Sequence, residues 1–174
     1  MSQPADLIDR LLPALQRRGS ADLLQQVREA LHDSGLPAEH LELEITESMM
    51  MNDSAGVAAK VRALRAAGVS VAIDDFGTGY SALAYLQKFP VSTLKIDQSF
   101  VRDATSDPND AEIIRAIVAM ARSLNLEVIA EGVETAEQMS ALQQMRCDEM
   151  QGYFFGRPME VEEATALARG QLRQ

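Results

Sequence analysis

Val71-Ala72-Ile73-Asp74-Asp75-Phe76-Gly77-Thr78-Gly79-Tyr80-Ser81 decides the reading of this chain. An apolar run of strand length ends in two adjacent carboxylates, then breaks into a glycine-containing turn that leads to a helix-like stretch. The same grammar recurs outward from it. Leu41-Glu42-Leu43-Glu44-Ile45-Thr46-Glu47-Ser48 lies upstream, and Leu94-Lys95-Ile96-Asp97 and Val128-Ile129-Ala130-Glu131-Gly132-Val133-Glu134 lie downstream. Each is a short apolar run carrying an acid at its C-terminal end. In a parallel barrel the C-terminal ends of the strands share one mouth, so this spacing gathers the carboxylates at a single rim. Crowded carboxylates repel unless protons or divalent cations neutralise them. A metal site is therefore the leading expectation.

Between these runs the apolar periodicity switches to that of helices. Residues 5–34 read as helical, with Ser20 and Asp22 as N-caps and Gly35 and Pro37 as the stop. Asp53 and Ser54 cap a helix over 55–67, and a short helix is expected over 81–88, before Pro90. A polar loop is expected over 102–109, followed by a helix over 110–124 with Ile113, Ile114, Ile117, Met120 and Ala121 on one face. Thr135 and Gln138 have capping-box spacing. Met150 to Phe155 reads as a last strand, followed by a helix over 161–172. Strand and helix thus alternate five times with no linker, which predicts a one-domain α/β fold with about five parallel strands, each followed by a helix. A doubly wound sheet alternates in the same way, but Gly77-Thr78-Gly79 lacks the third glycine of a dinucleotide fingerprint.

Composition sets the outer limits. The 174 residues are enough for one real core, and 47% hydrophobic content is not that of a disordered chain. No apolar run is long enough to span a membrane, and Met1-Ser2-Gln3-Pro4 does not begin a leader, so a soluble, cytoplasmic protein without membrane insertion is expected. The single cysteine, Cys147, excludes an internal disulfide and reads as a structural thiol. A net charge of −10 disfavours binding to a nucleic-acid polymer, which asks for a basic stripe. It leaves room for a small phosphorylated ligand held through metals.

Glu42 and Glu44 share one face of their strand, opposite Leu41, Leu43 and Ile45. If Glu44 points inward it becomes a metal ligand. Asp74 and Asp75 diverge if their strand continues, which suits two neighbouring cations; such a pair clamps a phosphoryl group and activates water. Lys95, in an otherwise apolar strand, is placed to stabilise developing charge. Glu131 is placed as metal ligand or general base. Taken singly, an acid before a helix is more often a cap, and a strand lysine more often lies on a solvated edge. Four successive strands ending in acids or a lysine shift that balance. His32 and His40 carry no ligand spacing, and the methionines, Met49-Met50-Met51 included, read as packing.

These segments, together with Gln151-Gly152-Tyr153-Phe154-Phe155-Gly156-Arg157-Pro158, resemble the EAL domain from about Asp22 onward. The resemblance implies a variant (β/α)8, TIM-like barrel and metal-dependent hydrolysis of cyclic di-GMP to pGpG in bacterial signalling, with Mg²⁺ or Mn²⁺ as cofactor. It implies that Glu44, Asp74, Asp75 and Glu131 are metal ligands. Lys95 resembles the lysine that holds the catalytic water, and Glu131 the essential glutamate. Glu47 resembles the anchor of the loop 76–81, which carries Gly77, Thr78, Gly79 and Tyr80. Asp97, Glu134 and Gln151 resemble active-site support, and Tyr80 and Arg157 resemble residues that shape the pocket.

The chain also departs from that pattern. Glu29-Ala30-Leu31 spells the family triplet, but inside a helical pattern rather than a strand. The position of the family's metal-binding asparagine falls near Leu12, whose side chain cannot coordinate a cation. By this comparison residues 1–21 are a helical segment standing in place of early barrel strands, and residues 22–174 are the C-terminal part of an EAL domain. An incomplete barrel lacking two ligands of its first metal is expected to hydrolyse weakly or not at all. The alternative is a non-catalytic module that binds a partner or dimerises. The third expectation is that the sequence is a portion of a larger signalling protein. Five strands do not close an eight-stranded ring, so residues 5–18 or a second chain are expected to cover an open edge.

Overall fold

Alternation of apolar and polar residues in successive segments produces one parallel sheet. The computed structural model describes residues 23–52, 54–78, 86 and 89–168. Five strands, β1 (Glu42–Thr46), β2 (Ser70–Phe76), β3 (Thr93–Ile96), β4 (Glu127–Ala130) and β5 (Glu149–Met150), lie side by side in chain order, every pair parallel. Helices α1 (Leu23–Ser34), α2 (Glu47–Asn52), α3 (Ser54–Ala66), α4 (Gln98–Asp103), α5 (Pro108–Ser123), α6 (Ala136–Gln144) and α7 (Val161–Ala168) fill the connections, and a single 3-10 turn, Ala38–His40, precedes β1. The expected α/β fold of five parallel strands and intervening helices is what forms.

The period of two along each strand separates two faces. Val71, Ile73, Leu94, Ile96, Val128 and Ala130 are fully buried and form the core, with Leu43 and Ile45 packed against it. Helices α3 and α5 cover this face, and α1 packs on α3 through Val27. The opposite face carries Glu42, Glu44, Ala72, Asp74, Thr93 and Lys95. Lys95 and Thr93 are buried on it nonetheless.

Several local expectations are corrected. The loop placed at 102–109 is shorter than expected: helix takes its two ends, and only residues 104–107 connect α4 to α5. Asp97 caps α4 by accepting from Ser99 N, and Asp107 caps α5 by accepting from Asn109 N with Pro108 in the first turn, where a missing N–H costs nothing. On α5 the core stripe is Ala111, Ile114, Ile117, Val118 and Ala121, while Ile113 turns outward by one helical step and is exposed. Strand β2 runs two residues beyond Asp74, and β5 is far shorter than Met150 to Phe155. The chain turns at Gly152, where a Cβ would lie 2.2 Å from both Val133 N and Val133 O, and Phe155 N bonds back to Gly152 O. Tyr153, Phe154 and Phe155 are exposed as a result. A sequence with that many aromatics reads as strand by propensity; the close backbone approach at Gly152 overrides it. The capping box is present as expected, with Gln138 accepting from Glu134 N and Thr135 N and donating to Arg102 O. The caps at Ser20, Asp22 and Asp53, the cover by residues 5–18 and the ends of the helices expected over 5–34, 81–88 and 161–172 lie outside the described residues.

Candidate functional site

Strand register brings the polar residues together. Glu44 pairs with Ala72, and Ala72 with Thr93, so the small Ala72 side chain lies between the β1 and β3 positions. Across it, Lys95 Nζ donates to Glu44 Oε1 at 2.5 Å; on its other side it meets Glu131 Oε1 at 2.5 Å, with Asp74 Oδ1 at 3.8 Å. Glu131 is delivered by the backbone just past β4, where its N–H bonds to Ile96 O. Three carboxylates chosen from the sequence thus converge on the Lys95 ammonium group toward the C-terminal ends of β1 to β4.

The two aspartates arrive by a device that the sequence does not display. Ile73 pairs with Leu94 and Phe76 with Ile96, so Asp74 and Asp75 together face Lys95 alone. This is a bulge, one extra residue on β2. Asp75 takes φ +54, a left-handed conformation, and its N–H bonds to Asp74 Oδ1 at 3.0 Å. The simple divergence expected of neighbours in a continuous strand is replaced by this kink, which leaves Asp74 toward Lys95 and Asp75 exposed. Asp75 lies beside Asp97. Partial desolvation at the rim, then the Asp74 and Asp97 charges, raise the Asp75 carboxyl above its ordinary pKa although most of the side chain faces water, so the neighbouring charges are the firmer cause. Burial alone would lower the Lys95 pKa; the hydrogen bonds that Lys95 donates to Glu131 and Glu44 outweigh this effect and hold the ammonium above the ordinary lysine value.

The remaining residues divide. Glu47, buried at the start of α2, accepts from Gly77 N at 3.3 Å, tying the turn after β2 to the end of β1. Gly77 sits at φ +103, where a Cβ would lie 2.9 Å from Phe100, so no larger residue fits without displacing that ring. Thr78 Oγ1 donates to Asp75 O at 2.9 Å and fixes the bulge from the far side. Gly79 and Tyr80 lie outside the described residues. Glu134 and Gln151 contribute through their backbones: Glu134 N in the capping box, Gln151 N to Ala130 O and Gln151 O from Val133 N. Their side chains are exposed. Sequence reasoning passed over Glu42, whose Oε2 accepts from Thr93 Oγ1 at 2.9 Å. Its signal was present, since it shares a strand face with Glu44.

All the donors at this rim are carboxylate oxygens, the chemistry that hard divalent cations prefer. Among the described residues no three acidic, histidine or cysteine side chains already form a metal cage. Lys95 draws the carboxylates together instead.

A parallel β/α sheet with acids and one buried lysine at the C-terminal rim has the architecture of the (β/α) barrel class, in which functional sites lie at that end. Within that class the particular family is shown by comparison: residues 11–158 match the EAL domain, and the chain belongs to that family. It is 48% identical over 143 residues to the cyclic di-GMP phosphodiesterase NbdA of Pseudomonas aeruginosa, covering 82% of this chain and 18% of NbdA. The solved structure of the PaMucR phosphodiesterase in complex with c-di-GMP superposes with a TM-score of 0.80 at 46% identity, over 84% of this chain and 59% of that one. A manganese and cy-diGMP complex of BlrP1 from Klebsiella pneumoniae superposes with a TM-score of 0.75 at 34% identity, over 80% of this chain and 35% of that one. The chain spans about a fifth of the length of the curated relatives it matches.

Proposed function

We propose that this chain carries the carboxylate rim of a metal-dependent cyclic di-GMP phosphodiesterase, and that the 174-residue polypeptide by itself turns over weakly or not at all. The observation that carries the first part is the convergence of Glu44, Asp74 and Glu131 on Lys95 at one strand-end rim. Glu44, Asp74, Asp75 and Glu131 would hold Mg²⁺ or Mn²⁺. Such a cation, when bound, supplies Lewis acidity toward a phosphodiester and lowers the pKa of water.

The chain's own residues do the rest. Lys95 stays charged at neutral pH and presents its N–H donors where an attacking water and the developing phosphoryl charge would lie. Glu131, beside Lys95, would take a proton from that water if it is not itself a ligand of the cation. Glu47 and Thr78 hold the turn after β2 against the rim. An open cleft of about 380 Å³ next to β5 is lined by Ile129, Glu149, Gln151, Phe155 and Arg157 among others.

Weak turnover follows from two features. By the family resemblance two ligands of the first metal are missing, Leu12 falling near the position of a metal-binding asparagine. Strands β1 and β5 each have one strand neighbour among the described residues, so those residues do not close a ring around the substrate. The test is chromatographic assay of pGpG from cyclic di-GMP with Mn²⁺. We expect slow formation that Glu131→Ala abolishes. Fast turnover would overturn the weak-activity reading, and residual formation untouched by Glu131→Ala would overturn the role of Glu131.

A second reading has its own observation. Tyr153, Phe154, Phe155, Met159 and Val161 are exposed beside the short edge strand β5. Under this reading the chain is an interaction module that dimerises or meets a partner at that margin. Light scattering showing a concentration-independent monomer would count against self-association.

A further inference from the structure

We infer that Glu42, together with the small residue Ala72, positions Glu44 over Lys95, a role that deepens the phosphodiesterase reading of the same rim without depending on turnover. The argument begins with register. Strand β2 lies between β1 and β3, so a β1 side chain reaches β3 only by passing over β2. The residue in its path is Ala72, paired to Glu44 on one side and Thr93 on the other and fully buried. A methyl group leaves the passage open; a branched or longer side chain there would fill it.

Two carboxylates use the passage. Glu42 Oε2 accepts from Thr93 Oγ1 at 2.9 Å, and one strand repeat further on Glu44 Oε1 accepts from Lys95 Nζ at 2.5 Å. Residues two apart on a strand share a face, so the Glu42–Thr93 and Glu44–Lys95 pairs are successive rungs of one ladder between β1 and β3. The lower rung ends on the Thr93 hydroxyl, which is buried, as is Lys95. The upper rung ends on an ammonium group shared with Glu131. Among the described residues β1 has one strand neighbour, β2, so the contacts among them that set how far Glu44 leans over the sheet come from that side. The Glu42–Thr93 bond supplies such a constraint. Glu42 is thus a positioning residue: it touches neither Lys95 nor the place where a phosphodiester would lie, and it acts through Glu44.

The test reads the Lys95 ammonium directly, by nuclear magnetic resonance at near-neutral pH. Its ¹H–¹⁵N cross-peak, assigned by its loss in Lys95→Met, persists while its protons are held in hydrogen bonds and broadens as they exchange with water. We expect a several-fold faster proton exchange in Glu42→Leu, wild-type exchange in Glu42→Gln, which keeps a carbonyl acceptor for Thr93, and faster exchange again in Ala72→Val, where the acceptor and donor are intact and only the passage is blocked. Wild-type exchange in both Glu42→Leu and Ala72→Val would overturn the inference, as would Glu42→Gln exchanging as fast as Glu42→Leu. If Glu42→Leu does not fold, faster exchange in Ala72→Val together with wild-type exchange in Glu42→Gln supports the inference, and wild-type exchange in Ala72→Val or faster exchange in Glu42→Gln overturns it. No nucleotide enters the measurement, so a failure of the phosphodiesterase reading leaves this result standing and is recognised separately.

Discussion

The two faces of the same sheet are made from alternate residues of the same strands, yet they answer to different physics. On the outer face Val71, Ile73, Leu94, Ile96 and Val128 are sealed under helices, and their contribution is burial. On the inner face Glu42, Glu44, Asp74, Thr93 and Lys95 hold each other by directed bonds of defined length. The outer face tells the chain how to fold; the inner face holds a charge arrangement that folding alone does not need. Substitutions on the two faces therefore separate stability from site chemistry.

The largest effect belongs to the outer face. Ile73→Ala removes a fully buried side chain from the middle of β2 and is expected to cost about 3–4 kcal/mol in urea unfolding. Metal-supported cyclic di-GMP affinity below the transition should change little. A loss under 1 kcal/mol would mean that the helices do not seal this face.

Next comes Lys95→Met on the inner face, expected to cost about 1–2 kcal/mol. The figure is held down because the side chains of Glu44, Asp74 and Glu131 remain 48%, 24% and 22% exposed, so water screens them. The pH dependence has a definite sign. A lysine whose folded pKa is raised contributes stability that is fully present below 10.5 and fades only as pH climbs through the higher folded value. The wild-type contribution is therefore flat from the carboxylate range to neutrality and beyond. In Lys95→Met the carboxylates face one another unneutralised, so the difference from wild type should shrink as acid protonates them. Unfolding curves across pH check this; a gap that widens in acid would break the account.

Outside both faces, Thr135→Ala removes the donor-satisfying hydroxyl of the α6 capping box and should cost about 1 kcal/mol, measured by thermal unfolding, with no change at the rim. The smallest effect has the opposite sign. Asp75→Gly relieves a left-handed φ of +54 and removes one charge from a crowded pair with Asp74, so it should stabilise by about 0.5 kcal/mol, the gain being offset by glycine's greater freedom when unfolded. Metal-dependent ligand affinity should fall in the same variant. A destabilised Asp75→Gly would show that the bulge does not rest on strain there.

What was legible in the sequence follows the same division. The outer face was readable because apolar alternation is the direct cause of burial, so β1 to β4 were found close to their places. The acids at the strand ends were readable because a parallel fold puts all those ends on one side. The bulge at Asp74 and Asp75 was hidden, since it arises from a mismatch between β2 and β3 that neither strand shows alone. Glu42 was seen on the right face, but its partner Thr93 lies two strands away. The early end of β5 was misread because the aromatic run after Gly152 has strand propensity, and only the contact with Val133 shows why it turns.

The most direct test of the central claim, that the rim carboxylates gather to hold a divalent cation for cyclic di-GMP, is a calorimetric titration of the protein with cyclic di-GMP in Ca²⁺, repeated with chelator and with Asp74→Ala. The account predicts saturable binding in Ca²⁺ that disappears in both repeats. Binding of equal strength with chelator or in Asp74→Ala, or no binding in Ca²⁺ by a folded protein, would contradict it.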